Sequence, residues 1–181
     1  MGLVQVSTAT VTSAVASITL TGIDSDNTYM IYMNNVVSAS DDKNLYMQYI
    51  KASDSSPDST SNYDYATKGM LSSGSYQNNY NTDESQYIIQ YARGNATGEQ
   101  DNNILCLFNT FLSSEYSYIT IEGSGLNASG VNASERGGGM HTVAQSNSGV
   151  TFSWESGVNF TSATCTLYKV TWWVQKNNLV L

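Results

Sequence analysis

Residues 160–174 read Phe-Thr-Ser-Ala-Thr-Cys-Thr-Leu-Tyr-Lys-Val-Thr-Trp-Trp-Val, and this run leaves the chain little conformational choice. Cys165 and Leu167 share one parity, while Thr166, Tyr168, Val170, Trp172 and Val174 share the other. β-Branched and aromatic residues dominate, and neither Gly nor Pro interrupts them. Successive side chains of a strand point to opposite faces, and these residue types pack well on a pleated surface, so the run predicts one long strand. Bulky groups on both parities place it centrally in a sheet, or at an interface beyond Val170.

The remainder follows the same pattern. Extended segments are expected over 3–12, 15–23, 28–37, 44–52, 86–93, 103–112, 116–122, 142–146 and 150–154. Tyr63-Asp-Tyr-Ala66 is expected as a short edge strand, and 67–83 is left unassigned. Residues 53–62, rich in Ser, Asp and Thr around the one Pro, are expected as an outlying mobile loop. Residues 123–140, with Gly137-Gly138-Gly139, are expected as a long irregular surface loop. With about nine strands and no internal repeat, the expected fold is all-β: an antiparallel two-sheet sandwich, jelly-roll-like. The 181 residues are expected to form a single domain, 1–181, with an N-terminal arm (1–12) and a C-terminal extension (171–181).

Composition narrows the function classes. Charged residues make up 12%, about half the usual share of roughly 25%. The formal charge of −8 argues against a phosphate-neutralising surface, which needs clustered Lys and Arg, and equally against a surface for anionic lipid. No apolar run approaches the roughly 20 residues needed to span a bilayer as a helix. Neither nucleic acid nor membrane is therefore an expected partner.

Residues that could carry chemistry are few. The one histidine, His141, follows the triple Gly, but no Gly-x-Ser-x-Gly elbow supplies a nucleophile for it. Cys106 and Cys165 both lie in apolar strand-like runs and read as buried thiols, with a disulfide between them left open. Asp24 and Asp26 have the spacing of the first two ligands of a calcium loop, but Tyr29 stands where that loop needs Gly, so the segment reads as a turn. The glycines at 137–139 lack the Lys or the Gly-x-Gly-x-x-Gly spacing of a phosphate loop. Glu115, Glu122, Glu135 and Glu155 are the available carboxylates for glycoside hydrolysis, at separations sequence does not give. The expectation is no catalytic residue, no metal ligand set and no cofactor.

Surface contact is the better-marked possibility. Aromatics are enriched where subunits meet. Adjacent Trp172 and Trp173 with Val174, then Leu179 and Leu181, make the C-terminal end a candidate interface, as do Leu3, Val4 and Val6 at the N-terminal end. Tyr63, Tyr65, Tyr76 and Tyr80 stand in polar surroundings. They could stack on sugar rings as a glycan-binding set, or cap sheet edges and subunit contacts.

Two stretches carry a resemblance to a known family. Gly22-Ile-Asp followed by Tyr29-Met-Ile-Tyr-Met-Asn-Asn-Val36 is one, and Val158-Asn-Phe-Thr-Ser-Ala-Thr-Cys-Thr-Leu-Tyr-Lys-Val170 is the other; Tyr63-Asp-Tyr-Ala66 adds a Tyr-rich segment between them. The chain resembles small virion structural proteins of tailed bacteriophages, particularly of cyanophages and other marine phages. Ala163 and Lys169 stand where that family usually has Gly. The resemblance implies a jelly-roll sandwich, commonly a homotrimer, located in the virion. It implies other virion proteins as partners, the major capsid protein first among them. A capsid decoration (cement) protein is the expectation. The alternative is a fibre, knob or tail-appendage protein that binds host-surface glycan, and a polysaccharide-degrading enzyme comes third.

Overall fold

The computed structural model describes residues 2–171, and these form an all-β sandwich of two antiparallel sheets. The strands are β1 (Gly2–Val11), β2 (Ser17–Thr21), β3 (Tyr29–Ser38), β4 (Lys43–Lys51), β5 (Tyr63–Leu71), β6 (Tyr76–Glu84), β7 (Tyr87–Arg93), β8 (Asp101–Phe108), β9 (Ser117–Leu126), β10 (Asn132–His141), β11 (Asn147–Trp154) and β12 (Phe160–Thr171). The one helical element among the described residues is a 3-10 turn, Glu155–Gly157.

The large sheet has the order β1-β12-β3-β8-β9-β10-β5-β6, and the small one β2-β11-β4-β7. Setting aside the hairpins β5–β6 and β9–β10, the remaining strands alternate between the sheets as β1-β12-β3-β8 over β2-β11-β4-β7. That is the jelly-roll-like order of two interlocked Greek keys. The two hairpins pair with each other through β10 and β5 and widen the large sheet to eight strands.

Residues 160–171 form β12 as expected, and this strand is interior to the sheet, between β1 and β3. Its inward parity sends Cys165 and Leu167 into the core beside Ile31, Met33, Leu105 and Leu107. The small sheet answers with Ile18, Leu20, Leu45, Met47, Val150 and Phe152.

Four sequence expectations change. Residues 123–140 are not a loop: β9 continues to Leu126 and β10 runs through all three glycines. Glycine serves there because neighbours press on the backbone. A Cβ on Gly139 would sit 2.5 Å from Cε1 of Tyr87, and one on Gly123, in β9, would collide with Oδ1 of Asn103. Residues 67–83 complete β5 and form β6, so Tyr63 and Tyr65 belong to an interior strand rather than an edge. Residues 142–146 connect strands instead of forming one. The 53–62 connection is anchored through Asp58, which is buried, and through a bridge between Ile50 and Pro57.

The cysteines are free. Cys165 faces inward opposite Met33, whereas Cys106 pairs with Met30 on the outward parity, so the two thiols lie on opposite faces of the sheet.

Candidate functional site

Polar side chains inside the sandwich gather in two places. At one end, Arg93 closes β7 and points inward between the sheets. Its Nε lies 3.2 Å from Oδ1 of Asp101 on β8, and its Nη2 lies 3.3 Å from Oε2 of Glu135 on β10. Its Nη1 donates to the Ala133 carbonyl at 3.1 Å. Glu135 accepts further bonds from the Thr67 hydroxyl, the Asn79 amide and the Tyr91 backbone N–H. Gln90 and Asn103 extend the layer. Gly123, directly opposite Glu135 on β9, leaves room for the Asn103 and Gln90 side chains of this layer. Burial pushes the Asp101 carboxyl up to about 7, with Arg93 opposing and Glu135 adding to the rise.

At the other end stands His141, fully buried, with Nε2 3.2 Å from Oδ2 of Asp58. The ring packs against both Tyr49 and Tyr63, and Tyr63 meets Tyr87 edge to face. The Tyr63 hydroxyl donates to the Asp58 carbonyl at 2.8 Å and accepts the Tyr49 backbone N–H at 3.0 Å. Burial lowers the His141 pKa, against the pull of Asp58. Burial opposes the Asp58 carboxylate, yet the hydrogen bonds from Thr60 and Gln145, with His141 nearby, hold it below the ordinary value. Both clusters are sealed within the protein. Their visible work is to join strands: β7, β8 and β10 in the first, the 53–62 connection and β10 in the second.

The four carboxylates considered for glycoside hydrolysis do not converge. Glu122 and Glu135 are on adjacent strands but face opposite sides of the sheet, because Glu122 pairs with Arg136. Glu155 lies in the 3-10 turn and Glu115 in the β8–β9 connection. Asp24 caps a turn, taking bonds from the Ser25 and Tyr29 hydroxyls and from Lys169, which draw its pKa down to about 2. Among the described residues no group of His, Cys, Asp and Glu is arranged to hold a metal ion.

The candidate contact residues divide. Leu3 and Val4 are exposed on β1, whereas Val6 turns at a register shift to pack on the core. Trp172, Trp173, Val174, Leu179 and Leu181 lie outside the described residues. Of the four tyrosines proposed for glycan, Tyr63 and Tyr65 are corrected to core residues, 0% and 8% exposed, because β5 is interior and their parity faces the small sheet. Tyr76 and Tyr80 are 67% and 74% exposed on β6.

The exposed aromatics mark the surface that the sequence did not show, the outward face of the large sheet. Strand register sets its rows. Tyr32, Ile104, Glu122, Arg136, Lys68 and Asn78 form one row across six strands. Cys106, Thr120, Gly138, Ala66 and Tyr80 form the next, and Phe108, Tyr118, Met140 and Asp64 the one beyond. From Cys106 to Ala66 the middle row carries short side chains and forms a trough between taller ones, ending at Tyr80. On the far side of the first row is a depression of about 450 Å³ whose lining includes Tyr32, Met70, Asn102, Ser124 and Ser134. Glu122 and Arg136, 3.6 Å apart and well exposed, stand between the two. Alternating parity is visible in sequence, but which strands adjoin is not, and this face exists only because the two hairpins pair through β10 and β5.

No family model, curated protein or solved structure matches the chain.

Proposed function

We propose that the chain is a structural protein of a phage virion that works by binding other virion proteins, as a homotrimeric capsid decoration protein. The family resemblance of residues 22–36 and 158–170 supplies the context, and the jelly-roll-like strand order agrees with it. The observation that carries the reading is β1. Its ten residues, Gly-Leu-Val-Gln-Val-Ser-Thr-Ala-Thr-Val, contain no charge and no Pro, and no described strand pairs with its outer edge. Leu3 and Val4 are 44% and 52% exposed there. Edge strands of monomers are ordinarily blunted by charge, Pro or cover, so an uncharged edge of this length supports pairing with another chain.

The test is mass by light scattering, with and without empty shells of the parent virion. A trimer that co-sediments with shells is expected, and an L3K/V4K variant should fall to monomer while keeping its far-UV spectrum. A monomeric wild type indifferent to shells would overturn the reading. An intact trimer in the variant would remove β1 from the interface.

A further inference from the structure

We infer that the outward face of the large sheet carries a binding site for a short neutral oligosaccharide, centred on the Glu122–Arg136 pair. This goes beyond the virion reading and stands whether or not the chain is part of a virion.

The first argument is shape. The short side chains of Cys106, Thr120, Gly138 and Ala66 lie in register on adjacent strands, giving a trough perpendicular to the strands about 14 Å long at the usual spacing. The neighbouring depression of about 450 Å³ falls within the roughly 300–1,000 Å³ of small-molecule sites. The two flank the Glu122–Arg136 ridge, and the elongated form of the trough suits a chain of rings better than a compact ligand.

The second is chemistry. A pyranose has apolar C–H faces and a polar rim, so it is recognised by flat aromatic faces together with planar polar groups that bond vicinal hydroxyls. Tyr32 lines the depression, held by an edge-to-face contact with Tyr168 at 5.6 Å. Tyr118 stands on the opposite side of the trough. Between them the guanidinium of Arg136 and the carboxylate of Glu122 make a single loose contact, leaving N–H donors and acceptor lone pairs free for hydroxyl pairs. The amide of Asn102 and the hydroxyl of Ser134 add neutral partners along the floor.

The third is charge, which selects the occupant. Glu122 and Arg136 cancel, as do Lys68 and Asp64 on the outward parity of β5, and the chain as a whole carries −8. Sialylated or uronate-rich chains would meet a repulsive field, and neutral ones would not. A protein partner fits less well, because the apolar side chains here are interleaved with amides, hydroxyls and an ion pair rather than forming one continuous patch.

The test uses the full chain on an array of neutral glucans, mannans and galactans alongside sialylated and uronate-containing oligosaccharides, followed by calorimetry on the hits. Neutral sugars should bind. Arg136→Ala and Tyr32→Ala should each weaken the affinity about tenfold or more, the scale of a lost anchoring contact. Tyr91→Ser on the small sheet should leave it unchanged. Arg136 is exposed, so its variant keeps the question open to decision even if Tyr32→Ala fails to fold. An array silent for neutral sugars, binding of acidic sugars alone, or binding indifferent to Arg136→Ala would overturn the proposal. A change of oligomeric mass in Arg136→Ala with a silent array would reassign the face to a contact between copies.

Discussion

The two halves of the large sheet's inner face are built on different principles. Across β12, β3 and β8 the inward residues are mainly apolar, Cys165, Leu167, Ile31, Met33, Leu105 and Leu107, with Asp101 and Asn103 at the start of β8 belonging to the polar layer. Across β10 and β5 they are Glu135, Gly137, Gly139 and His141, then Tyr63, Tyr65 and Thr67. The first half is held by removal of apolar surface from water, which is non-directional and tolerates changes of shape. The second is held by paired charges, hydrogen bonds and ring contacts on glycine backbone, all of which depend on placement. The jelly-roll strands thus have a forgiving core, and the inserted hairpins a demanding one.

Removing Arg93 is the hardest test of that contrast. Arg93→Met leaves Asp101 and Glu135 buried without their cation, and breaking a buried pair this way costs about 3–5 kcal/mol. Ile31→Val, in the apolar half, should cost about 0.5–1.5 kcal/mol. Urea denaturation of both variants measures the difference. The triple variant Arg93→Met with Asp101→Asn and Glu135→Gln should recover much of the loss, because no charge is then left unpaired. Equal costs for Arg93→Met and Ile31→Val would erase the distinction between the halves.

The same cluster, which ties β8 of the first half to β10 of the second, adds a pH dependence that the apolar residues lack. Asp101 titrates at about 7 in the folded chain and near the ordinary carboxylate value when unfolded. The native state therefore holds the proton more tightly. Its stabilising effect is complete below about pH 4 and is lost as pH rises to about 7, on the order of a few kcal/mol in all. His141 works in the other sense: its pKa is lowered by burial, so its contribution is present above the unfolded histidine value and is lost as pH falls through and below it. Comparison of wild type with Asp101→Asn separates the two. Stability measured from pH 4 to 8 should fall less with rising pH in the variant, and parallel curves would show that Asp101 does not titrate in this range.

Much of the forgiving half was legible in the sequence. Alternation of Val, Ile, Leu, Tyr and Thr marked β2, β3, β4, β8 and β12, because burial of one parity writes itself directly into residue type. The demanding half was not, for a physical reason. In β10 the inward positions are Glu, Gly, Gly and His, types that read as surface or loop when burial is inferred from hydropathy. Their burial depends on partners far along the chain: Arg93 for Glu135, Asp58 for His141, and the Tyr87 ring for Gly139. Tyr63 and Tyr65 are the opposite case. Tyrosine suits either a wet surface or a hydrogen-bonded core, and only the pairing of β5 with β10 decides between them. The outward groove depends on that same pairing, which no local pattern announces.

The glycine run offers the finest test of how closely the hairpin half is fitted. In Gly139→Ala the new methyl would lie 2.5 Å from the Tyr87 ring and 2.7 Å from the Asp64 carbonyl. The carbonyl is fixed by the β10–β5 ladder, so the ring must move. Tyr87 is itself packed edge to face on Tyr63 at 4.8 Å and on Tyr49 at 6.1 Å, and Tyr63 holds the Asp58 carbonyl. Displacing one ring therefore disturbs the tyrosine cluster around His141, and overpacking of this kind costs about 1–3 kcal/mol. Thermal unfolding should show the drop. Gly139→Ala combined with Tyr87→Leu, which removes the clashing ring edge, should then lose less than the two single changes added together. Simple additivity would mean that the methyl is resisted by the backbone alone, and that the close fit of the ring on β10 does not set the tolerance of this half.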